Sequence, residues 1–364
     1  MTDAELLALH REIVATPSVS GGEGDLCDSL ERRLRRPNVK TWRFGDNLLA
    51  LHGEGPVLCL NTHLDTVPPS PGWTRPPHEA QAAGGRVYGL GSNDAKASVA
   101  AMCAAFLRTL GSRACERVSL LLSLSAQEET GGKGTEAVVP EMKALGVYPA
   151  AVVVGEPTGL DIAVSQKGLL ILELEEEGRA CHAANSRALG AANAIRSLAS
   201  DLAAMDGVDL GPPHPDLGCV TLEPTVIQGG TARNMIPGRA SCVLDIRTVP
   251  GTPAEELVHR LQGAVSGRLR VLSDRLVPCE TAPDHPLVRA ALASRPGSRA
   301  IASSGVSDLV FFRGIPGIKA GPGRTERSHT PDEFVLESEI IEAAAFYERL
   351  ALENSLFLGK EGEA

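Results

Sequence analysis

Three short apolar runs in this 364-residue chain each end in side chains that can bind a metal or move a proton, and that recurrence narrows the folds open to it. Val57, Leu58, Cys59 and Leu60 lead into Asn61-Thr62-His63-Leu64-Asp65-Thr66-Val67-Pro68. Val118 to Ser125 leads into Gln127-Glu128-Glu129-Thr130-Gly131-Gly132, and Ala150 to Gly155 leads into Glu156-Pro157-Thr158. Continuous apolar runs of this length suit strands buried on both faces, as in a parallel sheet covered by helices. Open sheets of that kind bind ligands at the carboxyl ends of their strands. In an extended segment residues i and i+2 project to the same side, so His63 and Asp65 can address one point or each other. That placement suits a metal-binding His oriented by a carboxylate, and equally an ordinary hydrogen-bonded pair.

Helical patterns alternate with these runs. Leu6, Leu7, Leu9, Ile13 and Val14 form a stripe over Asp3 to about Val14, and a second helix is expected over Glu23 to Arg36. Strands are expected at Val39 to Phe44, Leu48 to His52 and Val57 to Asn61, followed by an irregular Pro- and Gly-rich passage from Pro68 to Gly85. Asp94 to Leu110 reads as a helix with Val99, Met102, Cys103, Phe106 and Leu107 on a face rich in small Ala neighbours, and Asp94 stands where an N-cap would. From Gly168 to Val277 the texture changes to half-exposed strands (Leu169 to Glu177, Val220 to Gln228, Ser241 to Arg247) with helices over Ala188 to Met205 and Pro253 to Ser266. The expected fold is α/β: a mostly parallel-sheet domain from residues 1–167 and 278–364, closed by a helix over Glu337 to Leu350, with a smaller α+β sandwich, 168–277, inserted.

Bulk properties exclude some partners. A formal net charge of −10 argues against nucleic acid or an anionic membrane surface, both of which need basic surface. No apolar segment approaches bilayer-spanning length, and the acidic, amphipathic start does not resemble a secretory signal. Eight cysteines scattered without a CxxC pair read as reduced thiols of a cytoplasmic protein. The stretch GLGSNDAKAS lacks the third glycine of a dinucleotide fingerprint and the Lys-Ser/Thr of a phosphate loop.

His63, Asp94, Glu128, Glu129, Glu156 and His329 all lie at strand ends, helix starts or loops of the larger domain. Five of them suffice for a two-metal site. Carboxylates and imidazoles suit zinc, cobalt or manganese, and a bridging carboxylate can hold two such ions about 3.5 to 4 Å apart. Of two adjacent glutamates on an irregular turn, one can ligate while the other stays free to act as a base. By themselves, Glu128 and Glu129 read equally as a solvated acidic turn.

The blocks HLDTVP, GLGSNDAK, AQEETGG, VGEPT, GRACHAA, TARNMIPG with DIRTVP, and GPGRTERSHTPDE follow one another in this order. In this the chain resembles the metal-dependent aminoacylase and carboxypeptidase family, which includes acetylornithine deacetylases, succinyl-diaminopimelate desuccinylases and glutamate-releasing carboxypeptidases. The resemblance implies that His63, Asp94 and Glu156 hold one metal ion and Asp94, Glu129 and His329 the other, as two Zn2+ or Co2+ ions bridged by Asp94. It implies that Asp65 orients His63, that Glu128 is the general base and acid, and that the inserted domain acts as a lid and homodimerises. His182 would then reach the partner subunit's site as an oxyanion donor, and Asn234 and Arg247, with Asp308 and Arg324, would bind substrate. The implied substrate is a small N-acylated amino acid, with N2-acetyl-L-ornithine of arginine biosynthesis first. Succinyl-diaminopimelate, N-acetylcitrulline, N-succinylornithine or a carrier-linked lysine or ornithine are alternatives. A non-catalytic binding homologue would be expected to lack a ligand or the base, and this chain keeps both. Two departures stand out: Lys96-Ala97 replaces the family's frequent Lys-Gly, and GSNDA resembles a shorter acetylornithine deacetylase-like branch.

Overall fold

The computed structural model describes residues 1–112 and 117–353. They form two compact units, one of Met1–Val164, Glu280–Ile301 and the part from Ser307 onward, the other of Ser165–Cys279 and Ala302–Val306.

The first unit is built on a large sheet. Its centre consists of Ser119–Ser125, Val57–His63, Ala151–Val154 and Gly317–Lys319, neighbours in that order and mutually parallel. Every residue of Ser119–Ser125 and Ala151–Val154 is buried, because helices cover this part of the sheet and a strand packed on both faces needs no polar alternation. The sheet as a whole is mixed rather than nearly all parallel: Asn47–His52 joins Ser119–Ser125 antiparallel, Lys40–Phe44 adds a hairpin partner, and Ile162–Gln166 runs antiparallel to Gly317–Lys319. The carboxyl ends of the central strands therefore open on one side, where His63, the Glu128–Glu129 turn and Glu156 follow.

Lys96–Thr109 is buried along nearly its whole circumference, since its run of alanines lets it lie close to the Glu337–Leu352 and Asp3–Ala15 helices. Phe106, 0 % exposed, contributes roughly 1.5 to 3 kcal/mol by burial there. The helix begins later than its sequence suggests. Ala95 is its N-cap and no side chain caps it, because the Asp94 carboxylate points to His63 instead. The Asp94–Ala95 peptide bond is cis. The second helix, Gly24–Leu34, stops short of Arg36, which precedes Pro37 and is thereby disfavoured in helical geometry. Within the irregular Pro68 to Gly85 passage, Gln81–Ala83 forms a short strand, pairing with Arg86–Tyr88 and, through it, Phe334–Leu336.

The second unit holds a four-stranded antiparallel sheet in the order Thr221–Gly229, Arg239–Thr248, Gly168–Glu177, Arg268–Leu276. Gly168–Glu177 alternates strictly, with Leu170, Leu172 and Leu174 buried beneath the helices Ala194–Met205 and Ala254–Ala264. The first of these helices starts at Ala194, not Ala188, because Asn193 caps the amides of Ile195 and Arg196. Arg268–Leu276 escaped the period-two pattern, since two register shifts break its alternation.

Candidate active site

His63 closes its strand with the imidazole 2 % exposed. Its Nδ1 lies 3.0 Å from the Asp65 carbonyl oxygen and 3.4 Å from Asp65 Oδ1, and its Nε2 lies 3.3 Å from Asp94 Oδ1. Asp65, fully buried, also binds the neighbouring turn. Its Oδ1 accepts the Glu128 amide at 3.0 Å, and Oδ2 accepts the Glu129 amide at 3.1 Å and the Ser20 hydroxyl at 2.6 Å. One carboxylate thus sets the imidazole and both glutamates in a common frame.

His329, in the left-handed region at φ 60°, brings Nε2 to 2.9 Å from Glu129 Oε1 and 3.9 Å from Asp94 Oδ2. Donor atoms of His63, Asp94 and Glu129 lie within 4.8 Å of one another. Glu156 follows its strand into the same interior, and its Oε1 is buried without a hydrogen-bond partner. Two glycines make room for this arrangement. A Cβ at Gly321 would come 2.5 Å from the Glu156 carbonyl oxygen, and one at Gly323 would strike the Asn93 side chain.

Sequence reasoning missed the groups that hold the backbone of this site. Glu333 accepts the amides of Asn93 and Asp94 on one oxygen, at 2.8 and 2.9 Å, and that of Gly91 on the other at 3.0 Å. Asn93 reciprocates with the Arg324 backbone, accepting its N–H at 3.0 Å and donating to its carbonyl at 3.1 Å. Glu23 takes the Gln127 amide at 3.0 Å. Glu333 belongs to the HTPDE run, so a signal was present; Glu23, opening a helix far away in sequence, offered none.

The family model described as peptidase family M20/M25/M40 matches residues 59–353. The chain belongs to this family. As an M20 member it is a metal-dependent hydrolase acting on a linear amide. The acetylornithine deacetylase of Edwardsiella ictaluri (strain 93-146) is 30% identical over 369 residues, covering 92% of this chain and 94% of that one. The succinyl-diaminopimelate desuccinylase of Phenylobacterium zucineum (strain HLK1) is 30% identical over 371 residues, 94% of this chain and 96% of that one. In fold the chain is similar to the Bacillus subtilis YXEP protein, described as a dinuclear metal binding peptidase from the M20 family, with a TM-score of 0.73, 16% identity and coverage of 96% and 97%.

The electrostatics of this M20 site follow from crowding acids in a buried space. Burial raises Glu128 well above its usual range, and the charges of Glu156, Asp308 and Glu129 add to this while His63 opposes it. Burial and then Asp94 push Glu156 up to about 8. Burial would lower His63, but Asp65 and Asp94, with the charge of Glu128, hold it well above its ordinary value. The hydrogen bond to Glu129 raises His329 to about 9. Each shift signals a shortage of positive charge among converging oxygens. The donor chemistry, two imidazoles with carboxylates, and the unpartnered Glu156 oxygen fit a divalent-cation site.

The remaining expected residues each have surroundings of their own. Asp308 is 1 % exposed and accepts the hydroxyls of Ser125 and Thr135 rather than facing open space. Arg324 is exposed. In the second unit, pairing of Cys181–His182 with Met235–Ile236 sets His182 beside the segment of Asn234, whose carbonyl accepts the Ala183 amide at 2.8 Å. His182 Nδ1 accepts the Ala184 amide at 3.2 Å, so the neutral ring carries its proton on Nε2. Arg247 is forked onto Asp245, Nε to Oδ1 at 2.8 Å and Nη2 to Oδ2 at 3.1 Å.

Proposed function

We propose that the protein removes the acyl group from an N-acylated amino acid, with N2-acetyl-L-ornithine plus water giving L-ornithine and acetate as the leading reaction, in arginine biosynthesis. The observation that carries this reading is the convergence of His63, Asp94, Glu129 and His329, with Glu128 beside them on a turn pinned by Asp65. His63, Asp94 and Glu156 would hold one divalent ion, zinc or cobalt, and Asp94, Glu129 and His329 the other. Bound there, such ions supply Lewis acidity toward a carbonyl and make water more acidic.

Glu128 takes a proton from the attacking water and returns it to the nitrogen of the departing amine, so the carboxyl ends the cycle as it began. Burial and the neighbouring acids raise its proton affinity, which favours holding the proton between the two transfers. Asp65 keeps the His63 imidazole oriented through Nδ1 and leaves Nε2 facing Asp94. His182 offers its Nε2–H to the developing oxyanion, from the partner subunit, and Arg247 and Asn234, with Arg324, recognise substrate polar groups.

The 168–277 insertion serves in this reading as lid and dimerisation domain. Its edge strand Thr221–Gly229 carries Val226 and Ile227, 50 % and 65 % exposed, which supports a second copy as the occupant of that edge. The seven described cysteines are free, consistent with action in the cytoplasm, and no described helix is long and apolar enough to cross a membrane. Removal of a succinyl group from succinyl-diaminopimelate is a second reading, favoured by the equal identity to the desuccinylase.

Release of free amine from N-acetylornithine, N-acetylcitrulline, N-succinylornithine and N-succinyl-diaminopimelate, with zinc and cobalt each supplied, tests the assignment. Preference for N-acetylornithine is expected. Preference for a succinylated member overturns the acetyl reading, and no turnover of any member overturns both.

A further inference from the structure

The turn carrying Glu128 and Glu129 has its backbone held from one side by Asn47, Glu23 and Asp65, which accept the amides of Ala126, Gln127, Glu128 and Glu129. Its two ends are held differently. Ser125, the last residue of its strand, and Thr135, in the first turn of Lys133–Ala144, both donate their hydroxyls to one oxygen, Asp308 Oδ2, each at 2.6 Å. Ser125 Oγ also lies 3.2 Å from the Thr62 carbonyl, but a hydroxyl has one proton, and the shorter contact to a carboxylate takes it. A single buried carboxylate therefore ties the strand end to the helix start, and the segment between them is the turn with both glutamates.

Packing leaves this group little freedom. A Cβ on Gly132, which sits at φ 68°, would come 3.1 Å from Asp308 Oδ1 and run into the Phe311 ring. Oδ1 itself is buried with no hydrogen-bond partner. Burying a carboxyl with an unsatisfied oxygen is costly, and a role confined to stability would be served at less cost by a neutral side chain. The charge of Asp308 is felt at Glu128 and at Glu156, and at 1 % exposure the group is not open to substrate.

We infer that Asp308 is a positioning residue that clamps Ser125 to Thr135 and thereby sets the Glu128–Glu129 turn. The inference rests on the reading of Glu128 as base and Glu129 as ligand. It replaces the expectation that Asp308 contacts substrate.

Asp308→Asn preserves shape and tests the clamp, with zinc affinity measured by equilibrium dialysis and kcat and KM measured at saturating zinc. The expected result is a folded protein, by circular dichroism, with roughly 10- to 100-fold loss in zinc affinity, kcat or both, and KM unchanged. Wild-type zinc affinity and kcat overturn the inference, as does a rise in KM alone, which would mark a substrate contact. If Asp308→Asn does not fold, Ser125→Ala and Thr135→Val each remove one donor, and the same readings on them decide. Glu128→Ala, measured in parallel, separates the two readings. Full turnover in Glu128→Ala sinks the base assignment and leaves the zinc measurement to judge the clamp; a dead Glu128→Ala beside an unaffected Asp308→Asn sinks the clamp alone.

Discussion

The two units solve opposite problems with the same residue types. In the first, His63 and Asp65 are buried and Asp94 and Glu156 half-buried, and backbone amides fix the turns that carry them. In the second, His182 and Asn234 are exposed, and Arg247 is occupied by a neighbouring aspartate. Burial is expensive for charge, so a chain gathers acids in an interior only where something compensates, and the donor set here fits a divalent cation. Exposed groups carry no such cost and gain their effect only when a ligand arrives. The converging ionisable groups therefore lie in the first unit, whereas those of the second stand exposed or paired with a neighbour.

That contrast is sharpest in turnover. Glu128→Ala is expected to lower kcat by about 10² to 10⁴ while retaining metal, checked by steady-state kinetics beside elemental analysis. Normal activity would erase the distinction between the units. His182→Ala should cost about 10² to 10³ in kcat if it donates to the oxyanion. Mixing that variant with Glu128→Ala tests whether the donor acts across subunits: exchange should restore about a quarter of wild-type activity, because half the dimers are mixed and each has one intact site. No recovery after demonstrated exchange breaks the cross-subunit role.

The smallest effect concerns an exception in the second unit. Glu176, 5 % exposed, is pushed to about 7 by burial and then by its hydrogen bond to Asp201, which itself accepts the amides of Ser266 and Gly267. Between its ordinary value near 4.5 and about 7, the folded state binds the proton more tightly than the unfolded chain, so Glu176 makes stability fall as pH rises through that window. Glu176→Gln keeps a donor toward Asp201 and removes the titration. Its melting temperature should exceed wild type by a few degrees at pH 8 and match it at pH 4.5, by differential scanning calorimetry. Equal melting at both pH values would show that the second unit holds no costly buried charge.

Much of the site was legible because its residues sit at places where pattern changes. His63, Glu128, Glu129 and Glu156 each follow a buried run, and a break from apolar to ionisable residues is visible along the chain. Asp94 was visible both as an N-cap and as a candidate ligand; its carboxylate faces His63 because the helix begins two residues later. Glu333, Glu23 and Asn47 were not legible in their roles. They act by accepting amides from segments remote in sequence, and any acid or amide in a loop could have done so. Asp308 looked like a candidate for substrate because it is charged and follows a serine, whereas packing turned it inward.

Local chemistry in the sequence determined the buried strands, the alternating strands of the second unit, and the residue types that can bind metal, since periodicity and side-chain character are properties of short stretches. Tertiary structure alone decided that His329 meets Glu129 across 200 positions, that Asp65 serves His63 and the Glu128–Glu129 turn at once, and that Asp308 faces Ser125 and Thr135. Those pairings depend on which strand lies beside which, and strand order is set by the burial of whole elements rather than by any one residue's neighbours in the chain.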